Sequence, residues 1–236
     1  MGSSRLPGKV LADIGGKPAL TRLLERLRAC NRLDDIVLAT STDPRDDALE
    51  QWASEQCVAC FRGSEDDVLG RVVGAHRAMR SDIVVEVTGD CPLLDPQLID
   101  RGVVRFLASD CDIVHNIKPP SYPQGVDLQV FRLQDLADVA ETVSDPAVRE
   151  HVSLQFYEHP ERYRAIVIAA PPDCHAPELR FQLDYPEDLA FIRAVYERLE
   201  PRHGGAGFGV GEIMALIRVE PALAEINRHC EEKPVR

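Results

Sequence analysis

Apolar residues along the chain alternate between short continuous runs and sets with helical spacing. Runs at 36–40 and 83–87 predict buried strands, and 58–61 predicts a weaker one. Between them, apolar residues recur every three to four positions at 20–27, 68–79 and 98–106, which predicts three helices. Alternating strands and helices are typical of a parallel sheet covered by helices, so the pattern predicts an α/β fold.

The second half continues the alternation less regularly. Strands are predicted at 126–131, 164–169 and 179–183, and a helix at 188–199. A Gly-rich stretch at 201–210 is typical of a linker. We therefore expect one main domain over 1–200, followed by a linker and a helical tail over 201–236.

Charge and cysteine content narrow the classes of partner and compartment. The net charge is −12, which disfavours nucleic acid because phosphate polymers are repelled by an acidic surface. Seven scattered cysteines, an odd number, favour a reducing compartment. With no apolar run of membrane-spanning length and no signal peptide at the start, we expect a cytoplasmic protein without a membrane partner.

Small residues and two cations occupy the start of the chain. Gly2, Ser3 and Ser4 would let backbone amides approach an anion closely, and Arg5 and Lys9 can clamp a polyphosphate. The alternative is an expression-tag remnant followed by a solvated basic turn.

Two aspartates follow predicted strands, where α/β proteins bind ligands. Asp90 comes after the strand at 83–87 and can hold Mg²⁺ against a triphosphate, or simply accept hydrogen bonds from turn amides. Asp184 comes after the strand at 179–183, but its spacing to Glu187 is that of a helix capping box.

Other polar residues are candidates for contacts with a sugar. Asp127 follows the flexible Gly125 and can bind hydroxyls or assist a metal, or can merely end a turn; Asn116 can join it in binding hydroxyls. Arg149 suits a substrate carboxylate, although Arg149 and His151 would not face the same way on a helix and can instead lie on an exposed face.

The segment 63–71 is a candidate for contacts with a nucleoside. Backbone groups of Gly63 and Ser64 can approach a base edge, while Asp67 or Arg71 contacts the base or ribose. The alternative is a helix start that is capped by Ser64.

Six short motifs follow one another between residue 1 and about residue 192. They are the opening loop with Gly15-Gly16-Lys17-Pro18, Gly63-Ser64-Glu65-Asp66-Asp67-Val68-Leu69 with Arg71, Thr88-Gly89-Asp90-Cys91-Pro92-Leu93-Leu94-Asp95-Pro96, Tyr122-Pro123-Gln124-Gly125-Val126-Asp127, Arg149-Glu150-His151-Val152 and Leu183-Asp184-Tyr185-Pro186-Glu187-Asp188-Leu189. In this order they resemble the sugar-nucleotide cytidylyltransferases. The resemblance is to the spore-coat polysaccharide F-like branch, related to the acylneuraminate and 3-deoxy-manno-octulosonate cytidylyltransferases.

The resemblance implies a fold and a reaction. The fold is a mostly parallel three-layer α/β sandwich of the nucleotide-diphospho-sugar transferase (GT-A-like) type, with a dimerisation flap around 117–160. The reaction joins CTP to a sugar, a 2-keto-3-deoxy sugar acid in the acid-sugar relatives, and gives a CMP-sugar and pyrophosphate for surface polysaccharide. The implied partners are CTP, the sugar, Mg²⁺ and a second copy of the chain.

The resemblance also implies roles for individual residues. Arg5, Lys9 and Asp90 would be catalytic, and Asp90 and Asp184 would hold Mg²⁺. Nucleotide contacts would come from Ser3, Ser4, Arg5, Lys9, Gly63, Ser64, Asp67, Arg71, Thr88 and Gly89. Sugar contacts would come from Asn116, Gln124, Gly125, Asp127, Arg149 and His151.

Two departures from the family pattern keep other functions open. The sequence starts inside the phosphate loop, so we expect the first strand to be missing from the sheet. Gln129 also stands where the branch often has an acidic residue. The alternatives are a GT-A-type glycosyltransferase that uses a preformed sugar nucleotide and a catalytically silent nucleotide-binding relative.

Overall fold

The computed structural model describes residues 1–3 and 5–231. Its strands are β1 (Asp13–Ile14), β2 (Lys17–Pro18), β3 (Val37–Ser41), β4 (Ala59–Gly63), β5 (Ile83–Glu86), β6 (Ile113–His115), β7 (Gln129–Arg132) and β8 (Ala165–Val167). Its α-helices are α1 (Ala19–Arg28), α2 (Asp47–Glu55), α3 (Val68–Met79), α4 (Pro96–Leu107), α5 (Leu133–Thr142), α6 (Pro146–Glu150), α7 (Leu154–Glu158), α8 (Pro186–His203), α9 (Val210–Val219) and α10 (Ala222–Glu225). Short 3₁₀ helices lie at Lys9–Leu11 and Pro44–Asp46.

The strands form three separate ladders. β1 and β2 make a small antiparallel hairpin, and β3 pairs with β4 in parallel. The other four strands form a sheet in the order β5-β7-β6-β8. Within residues 1–3 and 5–231, no ladder joins the β3–β4 pair to this sheet, and most of the apolar strand β3 is only half-buried.

Neighbouring residues on the strands face two different cores, which shows three layers. On β6, Ile113 packs with helices α3, α5, α6 and α7, whereas Val114 packs with α1, α4, α8 and α9. On β7, Phe131 and Val130 divide in the same way. Because successive side chains of a strand point to opposite faces, helices cover the sheet on both sides. The predicted α/β sandwich is therefore confirmed.

Strand β7 differs from the expectation of a mostly parallel sheet. It runs antiparallel to both neighbours, β5 and β6. It follows β6 through a loop rather than a crossover helix, so the chain reverses direction. The segment 117–160, expected to form a flap, thus supplies an inner strand of the sheet, and Val130 and Phe131 on it are fully buried.

The segment 179–183 is not a strand, so the prediction of a strand there is wrong. Its only ladder contact among the described residues is an isolated bridge between Gln124 and Arg180. Backbone bonds from Phe181 to Gln124 (2.7 Å) and from Leu183 to Asp90 (2.8 Å) fix it in place. The segment therefore holds the loop after β5, which carries Asp90, close to the start of α8, which Asp184 precedes.

Residues 208–226 pack onto the main core rather than extending from it. Residues 201–203 continue α8, and Gly204 follows with a positive φ of 73°. Phe208 and Val210 are almost completely buried, and α9 and α10 contribute side chains to the same core as α1 and α8. No helix in the described ranges is both long and apolar enough to cross a bilayer.

Candidate active site

Two carboxylates meet at the ammonium group of Lys9. Its Nζ lies 2.5 Å from Asp90 Oδ2 and 2.7 Å from Asp184 Oδ1. Lys9 begins a 3₁₀ helix, Asp90 follows β5, and Asp184 lies just before α8. The structure thus brings together, from three distant parts of the sequence, the residues that we name the Lys9 cluster: Lys9, Asp90 and Asp184.

Asp184 is almost completely buried and has two further cationic partners. Arg5 Nη2 lies 2.8 Å from Asp184 Oδ1, and Arg180 Nη2 contacts the other carboxylate oxygen. Arg180 also pairs with Asp188 at 3.1 Å. A buried carboxylate needs such partners because its charge is costly to remove from water.

The alternative role of Asp184, a capping box with Glu187, does not form, because the capping box of α8 lies one residue later, at Tyr185 and Asp188. Asp188 Oδ2 accepts the backbone N–H groups of Asp184 (2.8 Å) and Tyr185 (2.9 Å). Helix α8 begins at Pro186, which makes Asp188 the third helical residue. The carboxylate of Asp184 is therefore left to bind cations.

Asp90 is held in its ionised form by its neighbours. Burial raises the pKa of Asp90, but the charge and hydrogen bond of Lys9, with hydrogen bonds from Thr88 and Gln182, outweigh it and the pKa is lowered. Burial likewise opposes the charge on Lys9, yet Asp90 and Asp184 raise the pKa of Lys9 overall. The binding of a nucleotide by Thr88 and Gly89 stays a prediction.

Arg180 and Gln182 are site residues that the sequence analysis missed. Gln182 Nε2 donates to Asp90 Oδ2 at 3.2 Å, and Gln124 connects both: its Nε2 lies 3.1 Å from Gln182 Oε1, and its Oε1 lies 2.9 Å from Arg180 Nη1. The available signal was position in the sequence, because Arg180 and Gln182 lie four and two residues before Asp184.

Gly125 brings two backbone segments close together behind the site. Its φ is +94°, and a Cβ added to it would lie 2.4 Å from the backbone nitrogen of Gln182. The structure therefore places Gln124 and Gly125 against the segment that carries Gln182.

Glu86 is a further residue that the sequence analysis missed. It occupies the last position of β5, four residues before Asp90. Burial, followed by the charges of Asp127 and Asp90, raises the pKa of Glu86 to about 7. Asp127 therefore lies within electrostatic range of the site. The sequence signal that could have identified Glu86 is that it is the single charged residue in the apolar run Ile83–Glu86.

Comparison with known proteins fits this arrangement of acidic and basic groups. A sequence model of a family described as cytidylyltransferase matches residues 1–202. The chain belongs to the cytidylyltransferase family. It is a nucleotidyltransferase enzyme, and its fold is of the nucleotide-diphospho-sugar transferase type.

Individual relatives of this cytidylyltransferase cover different shares of its length. It is 32% identical over 229 residues to the spore coat polysaccharide biosynthesis protein SpsF of Bacillus subtilis, covering 95% of this chain and 93% of SpsF. It is 37% identical over 109 residues to the 3-deoxy-manno-octulosonate cytidylyltransferase of Vibrio parahaemolyticus, covering 46% of this chain and 43% of that enzyme. A solved cytidylyltransferase from Leptospira borgpetersenii superposes with a TM-score of 0.89 at 26% identity, covering 99% of this chain and 95% of the other.

The N-terminal loop of the cytidylyltransferase reaches the site through Arg5 and Lys9. Ser3 Oγ accepts the N–H of Leu6 at 3.3 Å. The guanidinium carbon of Arg5 lies 4.9 Å from the centroid of the Tyr185 ring, which supports the side chain beside Asp184. Ser4, a predicted nucleotide contact, lies outside the described residues.

The segment 63–71 leads into α3, and the alternative role of Ser64 as the helix cap is not observed. Asp67, not Ser64, is the N-cap, because its Oδ1 accepts the N–H of Gly70 at 2.8 Å. The Ser64 carbonyl accepts from Arg71 Nη1 at 2.8 Å, and Gly63 ends β4. These contacts hold the loop in one shape, and nucleoside binding there stays a prediction.

Arg149 is engaged within the protein rather than available to a substrate carboxylate. Its Nη2 pairs with Asp67, and its Nη1 donates to the Ala140 carbonyl at 2.5 Å. His151 follows α6 as its C-cap residue. The expectation that Arg149 binds the sugar does not fit this pairing, which connects residues 82 positions apart.

Asn116 also has a different role from the one expected. It is buried, its Nδ2 donates to the Val126 carbonyl at 3.0 Å, and its Oδ1 accepts the N–H of Leu128 at 2.8 Å. The amide therefore holds the loop between β6 and β7 rather than facing sugar hydroxyls.

The Lys9 cluster fits a divalent cation. The ammonium of Lys9 already lies between Asp90 and Asp184, at the position where a cation would be shared. Mg²⁺ prefers one or two carboxylates together with phosphate oxygens and waters. The two aspartates offer that donor set, provided that Lys9 turns to the phosphates.

Proposed function

We propose that this cytidylyltransferase joins CTP to a sugar, a 2-keto-3-deoxy sugar acid, and so forms a CMP-sugar and pyrophosphate for polysaccharide biosynthesis. The observation that carries the proposal is the meeting of Asp90 and Asp184 at the Lys9 ammonium. The names of the relatives support it, since one is a polysaccharide biosynthesis protein and another a 3-deoxy-manno-octulosonate cytidylyltransferase.

The cations of the site bind and orient the triphosphate. Arg5 and Lys9 would donate hydrogen bonds to phosphate oxygens and stabilise the charge that develops on the departing pyrophosphate. Asp90 and Asp184 would hold Mg²⁺, which when bound supplies polarisation of the α-phosphate and a lower pKa for the attacking hydroxyl.

The remaining residues fix these groups in position. Arg180 and Gln182 hold the two aspartates at the orientation that the structure records. The sugar hydroxyl attacks the α-phosphorus and forms the new oxygen–phosphorus bond, while the bond between the α-phosphorus and the bridging oxygen to the β-phosphate breaks. Pyrophosphate leaves on the opposite side, and the proton of the hydroxyl passes to solvent water. Catalysis of such a step comes from positioning and charge stabilisation rather than from a covalent intermediate.

Turnover of aspartate variants tests this role. Pyrophosphate release from CTP, Mg²⁺ and 3-deoxy-manno-octulosonate would be measured for Asp90→Asn and Asp184→Asn. Each should lose roughly 100-fold or more, as when a group that stabilises developing charge is removed. Asp138→Asn, on the exposed side of α5, is the matched control. Near-normal rates in both site variants would remove the Lys9 cluster from the mechanism.

Pyrophosphate also separates this function from the alternatives. A glycosyltransferase that uses a preformed sugar nucleotide releases none from CTP. A silent relative shows no magnesium-dependent heat when CTP is titrated into it. We also propose a homodimer, which a mass measurement in solution tests.

A further inference from the structure

Three side chains with different metal-binding atoms meet beside the start of helix α8. They are the carboxylate of Glu187 in the first turn of α8, and the imidazole of His229 and the thiol of Cys230, which follow α10. One ligand atom from each lies within 4.8 Å of the other two. Within residues 1–3 and 5–231, no other group of three histidine, cysteine or acidic side chains comes together in this way. We name these three residues the Glu187 cluster.

The distances within the Glu187 cluster suit one small cation. Zinc binds thiolate sulfur at about 2.3 Å and imidazole nitrogen or carboxylate oxygen at about 2.0–2.2 Å, so two ligand atoms of one tetrahedral zinc ion lie roughly 3.3–3.8 Å apart. His229 Nε2 lies 3.7 Å from Glu187 Oε1, which is inside that range. The remaining pairs lie within 4.8 Å, so small side-chain rotations bring all three atoms to bonding distance.

The kinds of ligand atom select the ion. Magnesium and calcium prefer oxygen ligands, whereas zinc accepts sulfur, nitrogen and carboxylate oxygen in one site. The carboxylate of Glu187 and the thiolate of Cys230 together balance the charge of a divalent ion, and the imidazole is neutral when it binds a metal. A fourth tetrahedral position is left for water. The Glu187 cluster therefore differs in chemistry from the Lys9 cluster, whose aspartates offer oxygen alone.

The turn that carries His229 and Cys230 is already held against α8. Asn227 is only 3% exposed, and its Nδ2 donates to the Arg180 carbonyl and to Asp188 Oδ1, both at 2.9 Å. The N–H of Cys230 donates to the Asn227 carbonyl at 3.0 Å, which closes the turn. Because the ligands are brought together before the ion arrives, little conformational entropy is lost on binding.

We propose that the Glu187 cluster binds Zn²⁺ and that the ion fastens residues 227–231 to the start of α8. Neither the Lys9 cluster nor the proposed reaction enters this assignment. As the zinc–sulfur bond forms, the thiol of Cys230 releases its proton to water. Burial, together with the charges of Asp188 and Glu187, raises the pKa of Cys230, so zinc displaces a proton that the metal-free thiol holds.

Tyr185 connects the proposed zinc site to the Lys9 cluster. Its hydroxyl donates to the Glu231 carbonyl at 3.3 Å and accepts from Arg5 Nη1 at 3.5 Å. An ion bound to Cys230 therefore also fixes the neighbouring carbonyl that Tyr185 holds. An ion that binds the folded chain more tightly than the unfolded chain stabilises it, so zinc should raise the Tm of the protein.

Metal binding to the full chain, freed of metal and kept reduced, provides the test. The probes are Zn²⁺ and Co²⁺, because cobalt reports a thiolate ligand by a sulfur-to-metal charge-transfer band in the near ultraviolet. We expect one Zn²⁺ per chain with a Kd of about 1 μM or below, and zinc should displace cobalt. Cys230→Ser should abolish the charge-transfer band. Cys230→Ser and His229→Gln should each weaken zinc binding at least about 100-fold and remove the rise in Tm.

Two control variants remove metal-binding side chains elsewhere. Cys57→Ser removes another exposed thiol, and His159→Gln removes a histidine that pairs with Glu161 at 3.0 Å but belongs to no group of three ligands in the described parts of the chain. Both should bind zinc as the unaltered protein does. Zinc binding that persists in Cys230→Ser, or that is lost in Asp90→Asn instead, would overturn the inference, as would the absence of a sulfur-to-cobalt band. These measurements involve neither CTP nor a sugar, so they leave the proposed function to its own test.

Discussion

Glu86 gives the sharpest stability prediction, because its folded and unfolded pKa values differ. Burial and the nearby Asp127 and Asp90 raise the pKa of Glu86 from 4.5 to about 7. Below pH 4.5, Glu86 is protonated in both the folded and the unfolded state and does not change the free energy of unfolding. As the pH rises from 4.5 to about 7, Glu86 ionises first in the unfolded chain, so the folded state loses stability.

The magnitude follows from the size of the shift. Each pKa unit corresponds to about 1.4 kcal/mol, so ionised Glu86 lowers the free energy of unfolding by about 3 kcal/mol above the folded pKa. The variant Glu86→Gln carries no such charge. Its free energy of unfolding should exceed that of the unaltered protein by about 2–3 kcal/mol more at pH 8 than at pH 5.

Urea denaturation at several pH values measures this difference, with no nucleotide or divalent metal present. The matched control is Glu178→Gln, which replaces an exposed glutamate and should show no comparable dependence on pH. If Glu86→Gln raised the free energy of unfolding equally at pH 5 and pH 8, the pKa of Glu86 would not be raised in the folded protein. An increase found only at pH 5 would mean that the folded pKa of Glu86 is lowered rather than raised.

Three further variants test other parts of the site. Lys9→Met leaves two adjacent carboxylates without their shared cation, so the affinity for CTP should fall at least about tenfold. Mg²⁺ should raise the Tm of the Lys9→Met variant more than it raises the Tm of the unaltered protein. Arg149→Ala should lower the free energy of unfolding by about 1 kcal/mol without changing the KM for the sugar. Gly125→Ala should lower the free energy of unfolding, measured in urea, by about 2 kcal/mol or more. Gly211 lies in α9 and an added Cβ there would meet no atom within 4 Å, so Gly211→Ala should be neutral or slightly stabilising.

The layered fold could be predicted because its signals are local. Apolar runs such as 36–40 and 83–87 coincide with β3 and β5 to within one residue. Asp90 could be placed for the same reason, since a residue that follows a strand lies at the carboxyl edge of the sheet. The family resemblance was enough to assign Lys9 and Asp184 to the same predicted site as Asp90.

The other residue roles could not be read from the sequence because they depend on distant partners. Nothing near Arg149 indicates that Asp67 takes its charge, and nothing near Asn116 indicates that both ends of its amide bind backbone groups. The reversed direction of β7 is equally non-local, because pairing with β5 and β6 decides it. Spacing proposes candidates, and tertiary contacts choose among them.

Arg26 links the last part of the chain to the loop that follows Asp90. It is fully buried, and its Nη1 donates to the carbonyls of Leu94 (3.1 Å) and Phe208 (2.7 Å). Tyr196, which accepts from Arg26 Nε at 3.1 Å, donates in turn to the Pro92 carbonyl at 2.7 Å. A fragment shortened to the matched residues 1–202 would lose Phe208, so one N–H of the Arg26 guanidinium would lose its hydrogen-bond acceptor. Removal of the last part of the chain should therefore loosen the loop that follows Asp90, although the two segments lie more than 100 residues apart in sequence.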